Sequence, residues 1–180
     1  NHSSVENDLL TNGFWAMNQK EELPNEGLTA MFIKRIDDVT DIVLAGVDDK
    51  TSEARRSSLV KLRVDSILGT LADSNGLGGE IKPFYYGNQY FLFVTETFTD
   101  VRLVGAPPSS IGKYGFDTDN WVWPRHTGDF SMFRIYANQE NKPAKYSEEN
   151  IPYKPNHHFP VSLAGVKKDD FSMVFGFPAR

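Results

Sequence analysis

The sequence contains no cysteine, so a disulfide framework, a thiolate zinc site and a thiol nucleophile are all excluded within these residues. Long apolar runs are missing as well. The longest fall well short of the roughly 20 residues that a membrane helix needs, and the mean hydropathy is −0.43, so no membrane span is expected. A basic excess is also lacking. Nineteen Lys and Arg face 24 Asp and Glu, for a net charge of −5. Phosphate neutralisation by cations supplies most nucleic-acid affinity, so a nucleic-acid partner is not expected. What the chain has is length for one ordinary core, 180 residues, and many aromatic side chains, at 13%. It starts without methionine and stops on a β-like segment, so both ends read as cut from something longer.

Residues 28–47 carry Met31, Phe32, Ile33 and Ile36, then Val39, Ile42, Val43 and Leu44, a β-branched composition that predicts two short strands. From Thr51 the period changes. Val60, Val64, Ile67, Leu68 and Leu71 recur at helical spacing, predicting a surface helix over about 51–74, opened by Thr51 or Ser52 and closed by Asn75-Gly76. After a loop at 76–79, two aromatic runs, 81–86 and 89–95, flank Gly87-Asn88 and predict a hairpin. Extended runs follow at 98–104 and 129–137. Residues 138–156 are polar, contain three prolines and read as loop, and 159–163 and 171–177 read as strands about a charged turn. Many short strands with one helix predict a β-barrel or sandwich.

The stretch Asp129-Phe130-Ser131-Met132-Phe133-Arg134-Ile135 has the order acid, apolar, small, apolar, apolar, Arg, apolar. It resembles the strand that opens on the triad aspartate of chymotrypsin-type barrels. Such an acid must be fixed and mostly buried, to accept a hydrogen bond from a histidine Nδ1 and stabilise the imidazolium formed during attack. Taken alone, the pattern also fits a solvated turn residue before an ordinary strand. Downstream, Pro160-Val161-Ser162-Leu163 and Phe171-Ser172-Met173-Val174-Phe175-Gly176-Phe177-Pro178 resemble the connection between the two barrels of these proteases.

A longer block is more specific. Val101-Arg102-Leu103-Val104-Gly105-Ala106-Pro107-Pro108-Ser109-Ser110-Ile111-Gly112-Lys113, then Asp117-Thr118-Asp119-Asn120-Trp121-Val122-Trp123-Pro124-Arg125-His126-Thr127-Gly128-Asp129, resembles the bacterial dipeptidyl-peptidase 7 and 11 family. The opening Asn1-His2-Ser3-Ser4-Val5-Glu6-Asn7 is similar to it too, so the likeness spans the chain.

That resemblance implies a mostly β, chymotrypsin-like barrel with one surface helix, incomplete here. The parent would add a second barrel and an inserted helical domain. Residues 1–165 would be the first-barrel portion, and 166–180 the link and first strand toward the second. The implied activity is serine-type release of dipeptides from peptide N-termini, with Asp129 as the triad acid and Asn120 and Trp121 holding the free amine. The histidine would lie in a His-His-Cys-Gly motif upstream and the serine in a Gly-x-Ser-Gly turn downstream, so these residues alone are expected to be inactive. The implied partners are peptides with a free N-terminus, and a homodimer of the parent is admitted. The implied location is the periplasm or cell surface, and no metal or organic cofactor is called for. One departure is Ala179, where the family usually has glycine at a turn.

Several competing readings attach to the same residues. Asp117 and Asp119 are second choices for the acid, since no alternating strand directly follows either. His126, three residues before Asp129, is expected to make a structural hydrogen bond near the acid. His157-His158 reads as a solvated loop pair in preference to a metal site or to an Asp129, His157 and downstream serine arrangement in the order subtilisin uses. Trp123, Tyr85, Tyr86 and Tyr90 read as core, with Trp121 the exception. The alternative function is a non-catalytic β domain that binds peptide or carbohydrate through exposed aromatics.

Overall fold

The computed structural model describes residues 2–72, 77–119, 122–124, 126–174 and 176. Along the chain come α1 (Leu9–Asn12), β1 (Phe14–Trp15), β2 (Leu23–Pro24), β3 (Ala30–Asp38), α2 (Thr40–Val43) and α3 (Glu53–Ala72). They are followed by β4 (Leu77–Phe84), β5 (Gln89–Phe98), β6 (Val101–Ala106), α4 (Ser109–Gly112), α5 (Phe116–Asp119), β7 (Met132–Ala137) and β8 (Ile151–Pro152). Two antiparallel sheets result. One runs β3-β5-β4; the other runs β1-β6-β7-β8, with β2 also paired to β6. Among the described residues no helix is long and apolar enough to cross a membrane.

The three-stranded sheet is built as the hydrophobic pattern requires. Along β5, Tyr90, Leu92 and Val94 alternate onto one face and are buried. Helix α3 covers that face with Val60, Val64, Ile67 and Leu68, joined by Val39 and Val43. Spacing of three and four residues puts the α3 set on one stripe of the helix. The opposite face carries Phe84 edge-on to Phe91 at 5.3 Å and stacked near Phe93 at 6.4 Å. Arg56 and Arg63, on the rim of α3, donate to the Gly87 and Val43 carbonyls at 2.6 and 3.0 Å, tying the helix to the hairpin turn and to α2.

Several local expectations are corrected. The second strand predicted in 28–47 is the helical turn α2. Val39 and Val43, four residues apart, both reach the core, and the Thr40 N–H donates to the Asp38 carboxylate at 2.9 Å. The expected loop at 76–79 is strand from Leu77, because Gly78 and Gly79 pair with Thr95 and Val94 through the backbone. The hairpin expected from the runs 81–86 and 89–95 is present as β4-β5, but its turn takes positive φ at Tyr85, Tyr86 and Gly87, while Asn88 is right-handed. Tyr85 and Tyr86 are thereby turned outward, at 71% and 105% exposure, and Trp123 is 86% exposed; of the aromatics expected in the core and described here, Tyr90 alone is buried. Residues 159–163 and 171–174 are irregular rather than strand, and their apolar side chains are exposed. The 138–156 segment is loop except for β8.

The sheets meet where β5 passes into β6. Phe98 is fully buried, edge-on to Phe32 at 5.7 Å and 4.5 Å from the Tyr153 ring, whose own N–H continues the β7 ladder by donating to Ile135 at 2.8 Å. Truncating the α3-facing core should be costly. Leu92→Ala is expected to lower the unfolding free energy by about 2–5 kcal/mol, and Leu62→Ala on the open side of α3 by less than about 0.5 kcal/mol, read by urea or thermal unfolding.

Candidate active site

Strand β7 pairs with β6 from Ile135 opposite Val101 to Met132 opposite Gly105, with a bulge between Leu103 and Gly105. The carbonyl of the bulged Val104 accepts from the N–H of Ala16, the residue after β1, at 2.9 Å. Gly105 has no room for a side chain, because the Trp15 ring lies directly over it. Bulges re-aim chains at sheet rims, and here the ladder ends at Met132. The expected strand start at Asp129 is therefore corrected: residues 126–131 leave the sheet.

They are held instead by the turn that contains α4. The Gly128 N–H donates to the Ile111 carbonyl at 3.0 Å, and the Thr127 hydroxyl donates to the Tyr114 carbonyl at 2.8 Å. A Cβ on Gly128 would stand 2.9 Å from the Ile111 side chain, so this approach needs glycine. On the far side of Asp129, Phe130 leans on Trp15 with ring centroids 6.2 Å apart. The chain is thus held by hydrogen bonds on one side of Asp129 and by a ring contact on the other. The carboxylate is exposed, with no hydrogen bond or ion pair among the described residues. This differs from the expected burial, because the turn covers only one side of a segment that has already left the sheet. Chemically, it is an acceptor on a fixed backbone, open to a donor from outside these residues.

The other candidates are dispersed. Asn120 and Trp121 lie outside the described residues. Asp117 is exposed on α5, and Asp119 ends the same turn. His126 meets the Tyr114 ring edge-on at 5.8 Å, and among the described residues the expected hydrogen bond is not seen. His157 and His158 are exposed, with rings 6.4 Å apart. Among the described residues no three His, Cys, Asp or Glu side chains converge as a metal site would require. A cleft of about 510 Å³ lies between the 24–27 turn and Tyr146, bordered by Asp100 and not by Asp129.

Two buried polar clusters behind this rim were not anticipated from the sequence. In the first, Arg102 grips Asp100 through Nε and Nη2 at 2.9 and 2.8 Å and donates to the Ser147 carbonyl, while Asn150 donates to Asp100 at 2.9 Å. The guanidinium lies 3.7 Å over the Tyr136 ring and 4.9 Å from that of Tyr146. Burial pushes the Asp100 carboxyl up, but the Arg102 and Asn150 hydrogen bonds and the Arg102 charge outweigh it and hold the group below the usual carboxylate range. In the second cluster, Glu22 accepts from Arg134 Nε at 2.8 Å and from the Tyr136 hydroxyl at 2.9 Å. Burial first, then the bond to the Glu22 carboxylate, pushes the Tyr136 hydroxyl up to about 12. The sequence signal was faint: Arg134 and Tyr136 are two apart on β7 and so share a face, and Asp100 stands two residues before Arg102 at the entry of β6, whereas nothing local marks Glu22.

The sequence pattern of the peptidase S46 family matches residues 1–180. An Asp/Glu-specific dipeptidyl-peptidase of Capnocytophaga gingivalis is 58% identical over 177 residues, covering 98% of this chain and 25% of that protein. A dipeptidyl-peptidase 7 of Phocaeicola vulgatus is 49% identical over 183 residues, covering 98% of this chain and 25% of that protein. The crystal structure of Porphyromonas endodontalis DPP11 in complex with the dipeptide Arg-Glu superposes with a TM-score of 0.73 at 46% identity, over 92% of this chain and 24% of that one. The architecture is accordingly mostly β with one long helix, consistent with a piece of a chymotrypsin-like barrel. The chain spans about a quarter of the length of the relatives it matches.

The Tyr136 hydroxyl gives a signed pH dependence. Its folded pKa of about 12 exceeds the ordinary tyrosine value of about 10, so its contribution is complete below about pH 10 and is lost as pH rises toward 12. Tyr136→Phe is expected to destabilise the protein at neutral pH and to flatten the loss of stability between those limits, measured by thermal unfolding across an alkaline series.

Proposed function

The chain belongs to the peptidase S46 family, and from that premise we propose that it forms part of a serine-type dipeptidyl-peptidase in which Asp129 is the triad acid. The observation that carries this reading is the presentation of Asp129: hydrogen bonds hold the chain on one side and the Phe130–Trp15 ring contact on the other, and the carboxylate is open to a donor.

In the proposed mechanism a serine attacks the carbonyl that closes the second residue of the substrate. A histidine takes the serine proton through Nε2 and returns it to the leaving amine. Asp129 accepts the histidine Nδ1–H, fixing the tautomer and stabilising the imidazolium, and water then releases the acyl group. By the resemblance, the histidine precedes and the serine follows the residues of this chain. The Asn120 amide oxygen and the Trp121 backbone carbonyl accept hydrogen bonds from the substrate's terminal ammonium, which limits the site to two residues before the scissile bond. The dipeptide bound to DPP11 supports peptides with a free N-terminus as the substrate class. Some relatives carry an Asp/Glu-specific name and others do not, so substrates with acidic and with non-acidic second residues belong in the test. Action in the periplasm or at the cell surface completes the proposal.

The test uses the full-length protein and fluorogenic dipeptide substrates with free and blocked N-termini. Asp129→Ala is expected to lower kcat by roughly 10⁴-fold, with the fold retained. Asn120→Ala is expected to lower kcat/KM for the free-amine substrate, with little effect on residual cleavage of the blocked one. Full activity in a folded Asp129→Ala variant would remove the acid assignment.

A further inference from the structure

Catalysis by a triad depends on how narrowly the acid is placed. Its own strand does not hold Asp129, since the ladder stops at Met132. The constraint comes from the α4 turn, through the Gly128 N–H to Ile111 and the Thr127 hydroxyl to Tyr114. That turn is in turn moored to the start of the chain. The Ser109 hydroxyl donates to the Leu10 carbonyl across 99 residues of sequence. Leu10 itself donates its N–H to the Ser3 hydroxyl at 3.0 Å, and the Ser4 N–H donates to Asn7 Oδ1 at 2.8 Å, so residues 3–10 form a hydrogen-bonded knot. A continuous set of bonds therefore runs from residues 3–10 through Ser109, the α4 turn and Thr127 to the backbone beside Asp129.

We propose that Thr127 and Ser109 are positioning residues: the hydroxyl bonds Thr127 to Tyr114 and Ser109 to Leu10 set the placement of the Asp129 carboxylate for the reaction. The inference rests on the reading of Asp129 as the triad acid. Both bonds are exposed, so each adds little to net stability. Placement is another matter, because an error of about 1 Å in a catalytic group can cost roughly 100-fold in rate. Activity and stability should therefore separate on removal of either hydroxyl. Thr127→Val keeps the branched shape and removes the donor; Thr127→Ser keeps the donor and removes the methyl.

The experiment measures kcat and KM of the full-length protein on a free-amine dipeptide substrate. Thr127→Val, Thr127→Ser and Ser109→Ala are each made alone and in an Asp129→Ala background, with thermal unfolding as the control for folding. Thr127→Val and Ser109→Ala are expected to lower kcat by roughly 10- to 100-fold with KM unchanged and the unfolding temperature nearly so, and Thr127→Ser to restore the rate. In the Asp129→Ala background none of the three should lower kcat further, because the group they position is gone. An unchanged kcat in Thr127→Val and Ser109→Ala, or equal losses in both backgrounds, overturns the proposal while leaving Asp129 in its role. Wild-type activity in Asp129→Ala alone overturns the acid assignment, and the positioning roles with it.

Discussion

A buried carboxylate sits at the point where one sheet gives way to the other. Asp100 has no exposed side-chain surface, and its partner Arg102 has 7%. Removing such a charge from water costs several kcal/mol, which only good geometry and further hydrogen bonds offset. Here the guanidinium is bidentate, Asn150 supplies a third donor, and two tyrosine rings cover the cation. Because Asp100 also accepts the Tyr136 N–H through its backbone carbonyl at 2.8 Å, the same residue fixes the entry of β6, the end of β7 and the loop that carries Ser147 and Asn150. Taking away one partner would leave an unpaired buried charge, at about 3–5 kcal/mol.

The register of β7 follows from this pair and from the Glu22 clamp on Arg134 and Tyr136. Register matters at the other end of the strand. With Ile135 set against Val101, the Val104 bulge and Gly105 fall where the ladder must stop, and the chain that continues toward Asp129 is handed to the α4 turn. The interior of the sheet thus sets where the candidate acid emerges, and the rim contacts set how narrowly it is held.

Much of this arrangement was legible in the sequence, for reasons that differ by element. Helix α3 announces itself because its buried residues repeat at the helical period, and the β4-β5 hairpin because two aromatic runs flank a glycine. The 39–44 segment misleads: valines four apart satisfy a buried helical turn as well as their β-branched shape suits a strand. Gly78 and Gly79 read as loop because a glycine contributes to a strand only through backbone pairing, which composition does not display. The apolar positions in 159–163 and 171–174 have the composition of sheet yet lie exposed, with no ladder among the described residues. At the site, the order of side chains from Asp129 to Ile135 marks the proposed acid. Its supports come from positions 13 and 99 residues away along the chain from those they bond, and no local pattern encodes such pairs. The exposure of Asp129 was unforeseen for a related reason, since burial depends on neighbours that a strand motif does not name.

The central claim is that Asp129 receives a histidine. The most direct measurement is a crystal structure of the full-length protein with a dipeptide bound, read for the partner of the Asp129 carboxylate. A histidine Nδ1 within about 2.6–3.2 Å of one of its oxygens, with that ring's Nε2 facing a serine hydroxyl, is the predicted result. An Asp129 carboxylate left in solvent, with the histidine held by Asp117, Asp119 or another acid, would contradict the account.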